Sequence, residues 1–284
     1  MLTVLHALNK STDYLEKKGI ESPRMNAELL LADVLKCKRL ELYLMYDRPL
    51  TEKELTEYRE YLKRRSTFEP VQYIIGTVEF YGLEFKVSPA VLIPRPETEI
   101  LVESVINAVN EEDELQIMDI GSGSGNISIA IAVNLPNAYV TGIEISKPAI
   151  LIAEENLKKY DCNERVSFIN DDILSVNRDE LSDIDIIVSN PPYVSKEDYG
   201  KIQKEILNYE PDIAVTDFYD GFKFYRKIIS LAAQLLKPNG KIFLEIAQGQ
   251  SQKINEIMKK NNFKEISIVK DYQKIIRVMY GVQK

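Results

Sequence analysis

The chain has 284 residues, 45% of them hydrophobic and 28% charged, which suffices for one large domain or a core domain with a smaller one. No apolar run of about 18 residues occurs, so no membrane span is expected, and the first residues, "MLTVLHALNKSTDYLEKKG", lack the pattern of a secretory signal. A formal net charge of −8 weighs against direct nucleic-acid binding and favours a protein or small-molecule substrate.

Residues 1–70 read as a helical bundle. "TVLHALNKSTDYLEKKG" spaces its apolar residues helically and ends at Gly19. "SPRMNAELLLADVLKC" opens on Ser22 and Pro23, an expected cap and first-turn proline. "TEKELTEYREYLKRRS" begins with Thr51 and Glu54 in capping-box spacing. The single His6 falls in the first helix, far from any motif. Cys37 and Cys162 have no metal-ligand spacing, so no metal is expected. Two reduced thiols fit a cytoplasmic setting.

Residues 71–95 form the predicted connector. "GTVEFYGLEFKVS" alternates around Tyr81-Gly82 as a β-hairpin does. Pro89, Pro94 and Pro96 then stiffen "PAVLIPRPETEIL", and a helix is expected from Pro96.

Residues 96–284 alternate strands with helices: "LQIMDI", "NISIAIAVNL", "AYVTGIEI", "SKPAILIAEENLKKY", "VSFIN", "IDIIVSN", "GFKFYRKIISLAAQLL", "GKIFLEIA" and "SQKINEIMKKN". This is the pattern of a doubly wound, Rossmann-like α/β sheet. "FKEISIVKD" and "KIIRVMYG" have no helix between them, so the last strand should run antiparallel.

Four motifs end successive strands of that sheet. "DIGSGSGN" carries Gly121, Ser122, Gly123, Ser124 and Gly125 at a strand-to-helix turn. A dinucleotide fingerprint needs glycine where Asn126 stands, so the loop fits S-adenosylmethionine better than a nicotinamide cofactor. Glu144 ends the next strand, about 20 residues on, where a carboxylate can accept from both ribose hydroxyls. Asp171 or Asp172 ends the third strand and could accept from an adenine amine. "SNPPYV" ends the fourth. Each motif alone has an ordinary structural reading; together they share the carboxyl edge, where open α/β sheets bind ligands.

The chemistry of Asn190, Pro191, Pro192 and Tyr193 follows from that edge. An amide nitrogen is a weak nucleophile, and no side chain deprotonates it at neutral pH. A site can instead accept both of its N–H hydrogens and aim its lone pair. The Asn190 side-chain oxygen and the Pro191 carbonyl are the expected acceptors, and the Tyr193 ring a surface on which a planar amide can stack.

"NPPY" resembles the tetrapeptide of class I methyltransferases acting on planar amines, which include adenine-N6 DNA enzymes and guanine-N2 ribosomal RNA enzymes. "VLIPRPETE" (91–99), "YEPDIAV" (209–215), "DGFKFYRKII" (220–229) and "LKPNGKIFLEIAQGQ" (236–250) resemble one branch, the HemK/PrmC family. That resemblance covers nearly the whole chain. It implies methyl transfer from S-adenosylmethionine to the N5 of the glutamine in the Gly-Gly-Gln motif of peptide-chain release factors. It also implies that Gly121 to Gly125, Glu144 and Asp171 or Asp172 bind the cofactor. Asn190 would touch both cofactor and substrate amide, Pro191, Pro192 and Tyr193 would complete the glutamine pocket, and Arg95 and Glu97 would border it. The alternatives are an amine methyltransferase acting on RNA or DNA bases and a non-catalytic cofactor-binding partner protein. No long insertion follows "NPPY" to serve as a DNA-recognition domain.

Overall fold

A computed structural model describes residues 2–175, 181 and 183–284. In chain order the helices and strands of its first part are α1 (Val4–Lys17), α2 (Pro23–Val34), a 3₁₀ helix (Arg39–Met45), α3 (Glu52–Arg65), α4 (Val71–Ile75), β1 (Thr77–Phe80) and β2 (Leu83–Lys86). There follow α5 (Pro96–Ile106), β3 (Gln116–Ile120), α6 (Asn126–Asn134), β4 (Tyr139–Glu144), α7 (Lys147–Leu157), β5 (Val166–Asn170) and β6 (Ile184–Ser189). The rest comprises α8 (Lys196–Tyr199), α9 (Lys204–Tyr209), α10 (Lys223–Leu235), β7 (Leu236–Glu245), α11 (Ser251–Lys260), β8 (Phe263–Lys270) and β9 (Ile276–Gln283). No helix among the described residues is long and apolar enough to cross a membrane.

The chain divides into two units, Met1–Thr77 with Gln203–Tyr209, and Val78–Ile202 with Glu210–Lys284. In the first unit, apolar positions at helical spacing on α1 (Val4, Leu8, Leu15) share a core with Leu30, Leu31, Leu55 and Leu62. The capping box forms: Thr51 Oγ1 accepts from the Glu54 N–H, and the Glu54 carboxylate accepts from the Thr51 N–H. The expected Ser22 cap does not. Ser22 is left-handed, at φ 47°, and makes no side-chain cap bond. Asn26 ties this entry turn from inside α2, donating to the carbonyls of Glu21 and Ser22. Arg65, 2% exposed, donates to Asn26 Oδ1 at 2.7 Å and pairs with Glu205 of α9. That pair, with the Tyr209 hydroxyl donating to the Thr67 carbonyl at 2.9 Å, ties Gln203–Tyr209 into this unit.

In the second unit the hairpin turns at Tyr81 and Gly82, both at positive φ, as a tight two-residue turn requires. The seven-stranded sheet has the order β5-β4-β3-β6-β7-β9-β8. β3, β4, β5, β6 and β7 pair in parallel, and β9 runs antiparallel to both β7 and β8. Residues alternate between the two faces. Ile117, Ile186, Val188 and Phe243 pack with α5 and α6, while Met118, Ile187, Ile242 and Leu244 pack with α10 and α11. Both faces are thus covered, as parallel strands made of near-continuous apolar runs demand. The chain reverses its direction of winding between β3 and β6, and that crevice at the carboxyl edge receives the four motifs.

Candidate functional site

At that edge lies a cavity of about 340 Å³, lined by Gly121, Gly123, Glu144, Asp171, Asp172, Asn190, Pro191 and Pro192 together with apolar side chains such as Ile145 and Ile173. The structure therefore brings together most of the residues expected from sequence. Ser122, Ser124, Gly125 and Tyr193 are not among its lining residues.

The glycine loop leaves β3 under backbone control. Gly121 and Ser122 N–H groups donate to the Ile143 carbonyl on β4. Gly121 and Gly123 sit at φ 79° and 53°, and a Cβ on either would meet no protein atom within 4 Å. Their need is conformational, and the space beside them stays open. Gly125 differs. It caps α6 at φ 78°, and a Cβ there would lie 2.9 Å from the Phe168 ring. We expect Gly125→Ala to lower stability by about 1–3 kcal/mol, read from urea midpoints, through backbone strain and displacement of Phe168. A wild-type midpoint would remove this packing role.

Glu144 holds the loop as well as facing the cavity. Its carboxylate accepts from Gly123 N–H at 3.0 Å and from Ser146 N–H at 2.9 Å. An ionised carboxylate has about four acceptor positions, so two stay available for ribose hydroxyls. Asp172 accepts from Leu174 N–H at 2.8 Å, and Asp171 accepts from Asp172 N–H. Each keeps acceptor capacity toward the cavity.

Asn190 follows β6, and its Nδ2 donates to Thr98 Oγ1 at 3.1 Å. Among the described residues, neither Asn190 Oδ1 nor the Pro191 carbonyl accepts a hydrogen bond. Tyr193 turns into the protein: its ring packs against the apolar core beside α10, and burial pushes its hydroxyl pKa up. Gln250 donates to the Tyr193 carbonyl at 3.1 Å, fixing the end of the loop.

The connector and the first turn of α5 are held by several elements. Ile93 N–H and Arg95 both reach the buried Glu210, Glu97 pairs with Arg277, and Glu99 accepts from Tyr81 N–H. Thr98 Oγ1 accepts from Asn190 Nδ2, and the Thr98 hydroxyl lies near Glu245. Thr98, Glu210 and Glu245 escape sequence reading. Their signal was their place in "VLIPRPETE", "YEPDIAV" and "LKPNGKIFLEIAQGQ", the segments that carry the family resemblance.

Asp119 and Glu245 are both buried. Burial pushes Asp119, beneath the glycine loop, up to about 7, although the Ser128 hydroxyl donates to it at 2.6 Å. Burial likewise pushes Glu245 up to about 7, against the influence of the nearby Thr98 hydroxyl. Between their ordinary values near 4 and about 7, the folded chain holds protons that the unfolded chain has released. These groups therefore contribute stability at about pH 5.5 that is lost as pH rises through 7. Urea unfolding should give a higher midpoint at pH 5.5 than at about pH 8, with a smaller difference in Asp119→Asn. A midpoint that rises over that window would contradict the assignment.

Two family models match: "PrmC N-terminal domain" over residues 6–76, and "Methyltransferase domain" over residues 111–280. A release factor glutamine methyltransferase of Fusobacterium nucleatum is 45% identical over 94% of this chain and 75% of that protein. Proteins of the same name from Chlorobaculum tepidum and Geobacter sulfurreducens are 36% and 37% identical, over 97% and 98% of this chain and 95% and 96% of theirs. Among solved structures, a 16S rRNA N2 methyltransferase of Thermus thermophilus with AdoMet and guanosine aligns at TM-score 0.51 and 20% identity. It covers 73% of this chain and 50% of that one, a likeness of fold.

Proposed function

The chain belongs to the release factor glutamine methyltransferase family, and on that premise we propose that Asn190 and Pro191 hold the glutamine side chain for methylation. The reaction is the transfer of a methyl from S-adenosylmethionine to the glutamine amide of a peptide-chain release factor. The glutamine of the Gly-Gly-Gln motif is the proposed acceptor.

The observation that carries this reading is one cavity bordered by Glu144, the glycine loop, the Asp171-Asp172 pair and two unused acceptors, Asn190 Oδ1 and the Pro191 carbonyl. The cofactor fits these residues. Gly121 and Gly123 leave open space, Glu144 would hold the ribose, an Asp171 or Asp172 carboxylate would accept from the adenine amine, and Ile145 and Ile173 offer apolar walls. Ser122, Ser124 and Gly125 shape the loop from beneath. When bound, the cofactor supplies a methyl on a positively charged sulfur.

The protein's part is positioning. Asn190 Oδ1 and the Pro191 carbonyl accept the two N–H hydrogens of the glutamine amide, which turns the nitrogen lone pair toward the methyl. Orientation of this kind can contribute about 7–11 kcal/mol in favourable cases. Both acceptors also stabilise the nitrogen as it gains positive charge. Pro192 stiffens the loop. Tyr193 serves through packing behind the loop.

The working division is a substrate-docking bundle (1–70), a connector (71–95) and the methyltransferase domain (96–284). We assign the protein to the cytoplasm on its two free thiols and its substrate. Labelled cofactor, offered with release factor or with RNA, tests the reading. Label on the release factor glutamine is expected. Label on RNA alone would instead favour the base-modifying alternative.

A further inference from the structure

Phe218, in the turn that leads into α10, occupies a backbone conformation that suits glycine. It sits in the left-handed region at φ 55° and is 53% exposed. For a residue that carries a ring, that backbone is an outlier. Phe218 also lines the cavity, as do Ile213 and Ala214 of the same segment.

The turn is firmly held. Thr216, 1% exposed, donates its hydroxyl to the Val194 carbonyl at 2.7 Å and accepts from the Phe218 N–H at 3.0 Å. Buried Asp217 accepts from the Tyr219 and Lys223 N–H groups. The Lys196 N–H donates to the Tyr219 carbonyl, and the Tyr199 ring of α8 lies 6.4 Å from the Phe218 ring, centroid to centroid. These contacts fasten the turn to the chain that continues from β6 past Asn190 and Tyr193. In the sheet, β6 lies on one side of β3. β4 and β5, whose ends carry Glu144 and the Asp171-Asp172 pair, lie on the other. The turn thus stands with Asn190, on the side given above to the glutamine.

We propose that Phe218 is a specificity-determining residue: its ring is the wall against which the release factor main chain lies, and it selects glycine before the reactive glutamine. The inference rests on the amide-holding role given above to Asn190 and Pro191. A glutamine side chain is short, so its own backbone comes down to the cavity rim when its amide reaches those acceptors. A peptide group and a glycine Cα can lie flat on an aromatic face. A Cβ at that position would hold the main chain off the ring. One contact therefore favours glycine and disfavours every other residue there.

The test crosses Phe218→Gly and Phe218→Tyr with two release factors, wild type and one with alanine in place of the glycine before the glutamine. Glycine suits the left-handed backbone, so Phe218→Gly keeps the fold, checked by urea unfolding. It should lower kcat/KM for wild-type release factor about threefold to tenfold, mostly through KM, the value of one aromatic contact. Phe218→Tyr keeps the ring and should stay within about twofold, as should the cofactor dissociation constant in both variants. Wild-type enzyme should prefer the glycine substrate, and Phe218→Gly should show about threefold less of that preference or lower still. Unchanged kcat/KM in Phe218→Gly overturns the proposal. So does a cofactor dissociation constant that rises with KM, which would place the ring on the cofactor. A preference for glycine that Phe218→Gly leaves intact overturns it too. Wild-type enzyme that leaves release factor unmethylated would overturn the reading of function and this inference with it, whereas a failure confined to the variants strikes the inference alone.

Discussion

Replacing Asn190 by alanine is expected to lower turnover by about 10²–10³-fold or more, while S-adenosylmethionine still binds. The substitution removes a cavity-facing oxygen and leaves the Pro191 carbonyl alone to orient the glutamine amide. One acceptor permits rotation about the remaining hydrogen bond, and the lone pair sweeps away from the methyl. The loss belongs to kcat, because the interaction strengthens as the nitrogen becomes cationic. Asn190→Asp keeps an acceptor but cannot donate to Thr98. It should therefore rescue poorly. Single-turnover rates with cofactor binding by calorimetry decide the matter. Near-normal turnover in Asn190→Ala would refute the positioning role.

Glu144→Ala should weaken cofactor binding by about a hundredfold or more, as two hydrogen bonds to a charged group are worth about 1.5–3 kcal/mol each. Part of that loss comes from the protein itself. Gly123 and Ser146 N–H groups lose the acceptor that holds them at the cavity wall. Glu144→Gln keeps one oxygen and should fall between the two. An unchanged cofactor dissociation constant in Glu144→Ala would take the residue out of the site. Saturating cofactor should restore much of the rate, which separates Glu144 from Asn190.

The carboxyl-edge side of this cavity was legible because each of its residues ends a strand. Gly121, Glu144 and the Asp171-Asp172 pair are found by counting along alternating strands and helices. The sheet then brings those ends to one edge without further information. The fold class and the antiparallel last strand follow from the same alternation. Gly125 was read as a ligand contact because its glycine matched the loop, but its reason is Phe168, and a packing partner on β5 leaves no mark in the loop's own sequence. Tyr193 was read as a stacking face, and its ring instead finds the apolar core beside α10.

The polar layer behind Asn190 was not legible for a different reason. Thr98 and Asn190 stand 92 residues apart. Glu245 looks like any strand-end acid until the sheet buries it beside α5. Likewise nothing in "KEILNY" announces that Glu205 pairs with Arg65. Local capping chemistry was misjudged where a side chain from inside the helix took over, as Asn26 does at Ser22.

The central claim is that this cavity places a methyl on a glutamine amide nitrogen of a release factor. The most direct measurement is mass spectrometry of the release-factor peptide containing Gly-Gly-Gln after incubation with the protein and S-adenosylmethionine. The account predicts one added methyl on that glutamine, fragmenting with the side-chain nitrogen, and none with Asn190→Ala. An unmodified glutamine beside methylated RNA, or a methyl on any other residue of the peptide, would contradict it.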